Sequence, residues 1–127
     1  MTAVYLSPAA ALNIQCDQGA TFQLQATCKD DAGLLDLTGY SAYMQLRNSA
    51  TYNAGVTPAI IYSLSTSNGQ ITLGGAAGTI NLYISYTNTA TIPDGAYSYD
   101  LFITTEGSQT KMFGGVFTVN PRVTVTP

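Results

Sequence analysis

Wherever this chain shows a period at all, apolar and polar residues alternate in twos, and that alternation commits it to half-buried β-strands. Thr21-Phe22-Gln23-Leu24-Gln25-Ala26-Thr27-Cys28 alternates without an error. Phe22, Leu24, Ala26 and Cys28 share one face, while Thr and Gln take the other. The stretch from Pro93 to Thr104 is the second anchor. Its Pro93-Asp94-Gly95 is a turn, since proline presets φ and glycine supplies positive φ, and β-formers follow directly. One parity carries Tyr97, Tyr99, Leu101 and Ile103, and the other carries Ala96, Ser98, Asp100, Phe102 and Thr104. A central strand is expected here, with the other segments as its neighbours.

Further strands are expected at Ala11 to Cys16, at Ser41 to Arg47 with Ala42, Met44 and Leu46 inward, and at Ala59 to Ser65 with Ile60, Tyr62 and Leu64 on one side. Ser67-Asn68-Gly69-Gln70 is read as a hairpin turn, with Ile71 to Leu73 returning along the preceding strand. Thr79 to Ser85 places Ile80, Leu82 and Ile84 inward, and Tyr86 to Ile92 is read as a turn or one helical coil. Lys111 to Val119 returns along the central strand, and Gly114-Gly115 within it suggests a bulge or a close backbone approach. Asn48 to Pro58 has no period and is a loop containing Tyr52. Val123 and Val125 alternate between prolines, giving an edge strand or an extended tail. The fold class is therefore all-β: one immunoglobulin-like antiparallel β-sandwich of about seven to nine short strands. Residues 1–10 are expected to be an irregular N-terminal arm, and residues 11–127 the sandwich domain with its extended C-terminal end.

Composition enters where function is concerned. Only 9% of the residues are charged, against about 25% in typical soluble domains, which suggests a surface that meets other protein. Net charge is −3, and Lys29, Arg47, Lys111 and Arg122 are scattered, whereas nucleic-acid binding needs a clustered basic face. No nucleic-acid partner is expected. No apolar run reaches membrane-spanning length, and Met1 to Leu6 lacks the basic region of a signal peptide. Neither a membrane partner nor an export address is expected.

The chain contains no histidine, which excludes Ser-His-Asp and Cys-His catalysis and histidine-bearing zinc sites, and two cysteines cannot build a four-thiolate site. Asp94 and Asp100 stand roughly 20 Å apart by strand rise, too far for paired carboxylate chemistry. Asp30, Asp31 and Asp36 lack the oxygen spacing of a calcium loop, and Asp30 and Asp31 lie in a turn, Lys29 to Gly33, where their carboxylates are placed to accept backbone N–H bonds. No catalytic residue, cofactor or metal is expected. If residues 11–16 and 21–28 pair as a hairpin, Cys16 and Cys28 lie roughly 20 Å apart, beyond disulfide reach. Both are expected to be reduced core thiols.

Nine tyrosines and no tryptophan leave tyrosine as the main contact aromatic. Tyr97 and Tyr99 share a face that fits an interface or a core boundary equally. Tyr52 in the long loop and Tyr43 on the polar side of its strand complete the candidates.

The order Gly19-Ala20-Thr21-Phe22, Lys29-Asp30-Asp31-Ala32-Gly33, Asp36-Leu37-Thr38-Gly39-Tyr40 and Met44-Gln45-Leu46-Arg47 carries a resemblance. It continues through Thr79-Ile80-Asn81-Leu82, through Thr89 to Leu101, and through Gly114-Gly115-Val116-Phe117-Thr118-Val119. Together these segments resemble the small β-sandwich domain of tailed-phage structural proteins, similar to the N-terminal domain of baseplate upper proteins and to short phage tail proteins. The resemblance spans roughly residues 11 to 125. It implies a non-catalytic virion component, assembled in the host cytoplasm and released by lysis, that acts as a tail or baseplate adaptor or fibre attachment. Its implied partners are other phage structural proteins, with several copies in the particle. The alternatives are a receptor- or carbohydrate-binding module, or a capsid decoration protein.

Overall fold

The structure, a computed structural model, describes residues 2–6, 10–48 and 58–125. In chain order its strands are β1 (Thr2–Leu6), β2 (Ala10–Ala11), β3 (Ile14–Asp17), β4 (Phe22–Asp30), β5 (Gly33–Leu34) and β6 (Ser41–Arg47). They continue with β7 (Ile60–Ser65), β8 (Ile71–Leu73), β9 (Thr79–Ile84), β10 (Gly95–Thr105) and β11 (Ser108–Asn120). One helical turn, α1 (Tyr86–Thr89), precedes β10, capped by the Ser85 hydroxyl accepting from the Asn88 N–H.

Two sheets face each other. The first runs β1-β4-β9-β8, with β5 pairing β4, and the second runs β2-β11-β10-β6-β7, with β3 also on β11. β10 is central, as its alternation requires, lying antiparallel between β11 and β6. Phe22, Leu24, Ala26, Cys28, Ile71, Ile80, Leu82 and Ile84 supply the inner side of the first sheet. Against them the second sheet sets Ala42, Met44, Leu46, Leu64, Tyr97, Tyr99, Leu101, Ile103, Phe117 and Val119. Phe22 meets Phe117 edge-to-face across the gap, with centroids 5.5 Å apart, and Tyr99 stacks edgewise on both Phe113 and Phe117. This aromatic cluster fastens the two layers together.

The strand count exceeds the expected range because one edge is broken into β2 and β3 and because β5 is only two residues long. β1, β2 and β3 also pair in parallel, on β4 and β11, where only antiparallel neighbours were anticipated. Thr2–Leu6 lies within the segment expected to be irregular. Its ladder partner is more than twenty residues away in sequence, so no local signal marks it.

Two expected hairpins are instead crossings between sheets. β3 and β4 do not pair, since β3 lies along Phe117–Asn120 while β4 bonds β9 and β1. The connecting turn is held by Thr89, whose buried hydroxyl accepts from Gly19 N–H at 3.0 Å and donates to Ala20 O at 2.9 Å. Likewise β7 ends in the second sheet and β8 begins in the first, paired to β9. There the Asn68 side chain accepts from the Ser65 and Gln70 N–H groups, closing the turn without any strand pairing across it. A register shift at Leu46/Arg47 also turns Ile60 outward, away from Tyr62 and Leu64.

The hairpin premise of the cysteine argument therefore fails, yet both thiols are free and buried. Cys16 lies on the second sheet and Cys28 on the first. Burial pushes each thiol up to about 11 from an ordinary value of 9.0, with the Asp17 carboxylate adding to the effect at Cys16. A raised folded-state value means that the neutral form is favoured in the fold, so this contribution is intact below pH 9 and is lost as pH rises towards 11. Chemical denaturation at stepped pH should show stability falling across that window. Below it, thiol reagents should react only after unfolding; rapid labelling of the native protein at neutral pH would contradict the burial.

Candidate interaction surface

The four tyrosines singled out from sequence separate cleanly. Tyr97 and Tyr99 are inside, only 6% and 5% exposed, so they are core residues and offer no contact surface. Tyr52 lies outside the described residues. Of the three described, Tyr43 is on the surface, 49% exposed.

Both buried hydroxyls have partners, as buried polar groups require. Tyr97 donates to Pro93 O and so locks the turn that starts β10. Tyr99 reaches further, donating to Leu12 O on the far side of β11. That reach depends on Gly115, which stands directly opposite Tyr99 on β11 and has no side chain to block it. Leu12 and Asn13, the break between β2 and β3, press onto the same glycine: a Cβ there would lie 2.8 Å from Leu12 O and 2.7 Å from Asn13 Oδ1. Asn13 Oδ1 accepts from Val116 N–H at 3.0 Å, replacing the ladder bond that the break removes. The close approach suggested by Gly114-Gly115 is thus made by the edge strand. Burial raises the Tyr99 phenol far above its ordinary value, and it raises the Tyr97 phenol as well, with Asp94 contributing there.

The two outer faces differ in chemistry. On the first sheet, Gln23, Gln25, Thr27 and Asn81 form a neutral polar field broken by Tyr83. On the second sheet, Tyr43 opposes Phe102, and Lys111 flanks Phe102 from the other side. Arg47 and Val116 both oppose Ser98, and Gln45 opposes Asp100. Ile60 and Val116 are 47% and 42% exposed, so apolar surface stands beside Arg47, Asp100 and Lys111 on one sheet. The Arg47 guanidinium is held in place, donating to Pro58 O and to Gln45 Oε1 at 2.8 Å. Fixed arginine beside exposed aromatic and aliphatic groups is the composition of protein-binding surfaces. Period-two parity makes this face readable from sequence for β6 and β10, but the bulge that adds Ile60 is invisible there.

Asp30 accepts the Ala32 N–H, as its turn role requires, and Asp36 accepts the Thr38 N–H in the same way. The Thr38 hydroxyl and N–H together hold the Asp36 carboxyl below the usual range. Among the described residues no three His, Cys, Asp or Glu side chains gather as a metal site would need, and no helix is long and apolar enough to cross a membrane. A cavity of about 320 Å³ opens between β3 and the start of β4, lined by residues from Leu12 to Leu24.

No family model matches the chain, and no curated protein matches it. Among solved structures, the chain is similar to the N-terminal domain of phage TP901-1 ORF48, with 10% identity and a TM-score of 0.44 over 97% of this chain and 100% of that one.

Proposed function

We propose that this chain is a non-catalytic structural protein of a tailed-phage particle, an adaptor that joins tail or baseplate parts or attaches a fibre. It docks through the outer face of the second sheet. The observation that carries the reading is that face: Tyr43, Phe102, Ile60 and Val116 beside Arg47, Asp100 and Lys111, with no strand or loop of the described residues paired over it. Exposed apolar and aromatic side chains interspersed with a fixed arginine on one sheet face match the make-up of protein-binding surfaces. The phage setting rests on the motif resemblance that runs from Gly19 to Val119. A charge-poor chain without histidine suits an assembly role, since it offers contact area and no imidazole for proton transfer near neutral pH. Tagging the protein in intact particles and locating it by cryo-electron microscopy tests the assignment. Density at the tail or baseplate is expected; density confined to the capsid surface, or absence from the particle, would overturn it.

A further inference from the structure

We infer that residues Val123 to Val125 of one copy enter the cavity between β3 and β4 of a second copy as an added strand, reciprocally, giving a two-fold dimer. This is independent of the phage reading and of the Tyr43 face.

The first observation is the tail. Val123 is 98% exposed and Val125 71% exposed, two β-branched residues on one parity with Thr124 between them, in a backbone that bends at Val123 and pairs with no strand among the described residues. An alternating Val-Thr-Val segment has the residue types of a strand and would become one on meeting a sheet edge. Its root is fixed: Arg122 N–H donates to Gln18 Oε1, and the Arg122 guanidinium lies against Gly19. In the structure the segment does not turn back onto its own β3, and both valines stay exposed.

The second observation is the receiving site. Among the described residues β3 is bonded to β11 on one side only, so the backbone groups on its other side form an open edge. Facing it, Phe22 and Gln23 precede the β1 ladder, which begins at Leu24. The roughly 320 Å³ between these two edges, which pair with each other nowhere among the described residues, suits a short extended segment. Its walls include Ile14, Cys16, Phe22 and Leu24 for the valines, with Gln15 and Thr21 at the rim.

Position supplies the symmetry. The cavity opens beside Asp17 and Ala20, at the same Gln18–Gly19 turn where the tail is rooted. Two copies set turn to turn therefore place each tail at the other's opening, a closed two-fold exchange. A strand entering from that end runs antiparallel to β3, the pairing with the better hydrogen bonds, and augments its sheet edge.

Val123→Asp/Val125→Asp tests the exchange without touching the fold, because both side chains are exposed. Sedimentation equilibrium should show a concentration-dependent dimer for the wild type and its loss in the double variant, with an unchanged melting curve. Adding a synthetic peptide of residues 120–127 to the monomeric double variant should shift the amide resonances of Ile14–Asp17 and Phe22–Leu24. Dimerisation undiminished in the double variant would overturn the inference. So would a wild type that stays monomeric while the peptide leaves β3 unshifted.

Discussion

Phe117→Ala should cost about 3–5 kcal/mol of folding stability, the penalty for emptying a fully buried phenylalanine site. Phe117 is wholly inaccessible and carries two edge-to-face contacts, to Phe22 of the first sheet at 5.5 Å and to Tyr99 of its own sheet at 6.1 Å. Removing the ring deletes the packing that holds the layers together at this point, and β-sheet backbones collapse poorly into such a gap. Urea denaturation should show a lower midpoint with an unchanged slope. A loss below about 1 kcal/mol, the size of an ordinary surface effect, would mean that the ring does not bridge the sheets.

Gly115→Val should cost about 1–3 kcal/mol through overpacking, although it adds apolar volume to a core strand. The new Cβ would meet Leu12 O and Asn13 Oδ1 at 2.8 and 2.7 Å, so the break between β2 and β3 must move away from β11. That movement also draws Leu12 O from the Tyr99 hydroxyl. The two effects are coupled, which makes the claim specific. Tyr99→Phe alone should cost about 1–3 kcal/mol, because the hydroxyl and the Leu12 carbonyl lose each other. In the Gly115→Val background the same change should cost much less, since the bond is already lost. Strict additivity would show that Gly115 and Tyr99 act independently.

These residues also show where sequence reading stops. The inward parities of β4, β6, β9 and β10 are all as alternation dictates, because period two is a local property that burial on one face enforces. The helical turn at Tyr86–Thr89 and the Asp30 turn were equally legible, since each depends on neighbours within four residues. Partner choice is not local. Asp17–Ala20 and Asn68-Gly69 mark reversals of the chain, but nothing in them says whether the next strand stays in the sheet or crosses to the other. The crossing is decided by distant groups such as the Thr89 hydroxyl, some seventy residues from the turn it holds. The fate of Tyr97 and Tyr99 has the same origin. A tyrosine on an alternating strand suits a core or an interface, and only Gly115 opposite and Leu12 beyond it make an inside place for the second hydroxyl.

With those two tyrosines in the core, the contact role falls to Tyr43 and its neighbours, and Tyr43→Asp tests it most directly. The side chain is half exposed, so the variant should melt close to the wild type, within about 0.5 to 1 kcal/mol of its stability. A charge opposite Phe102 would nevertheless place a carboxylate on the aromatic pair of the proposed contact. The measurement is the copy number of the folded variant in purified particles beside that of the wild type: severalfold depletion is predicted, and incorporation equal to the wild type would contradict docking through this face.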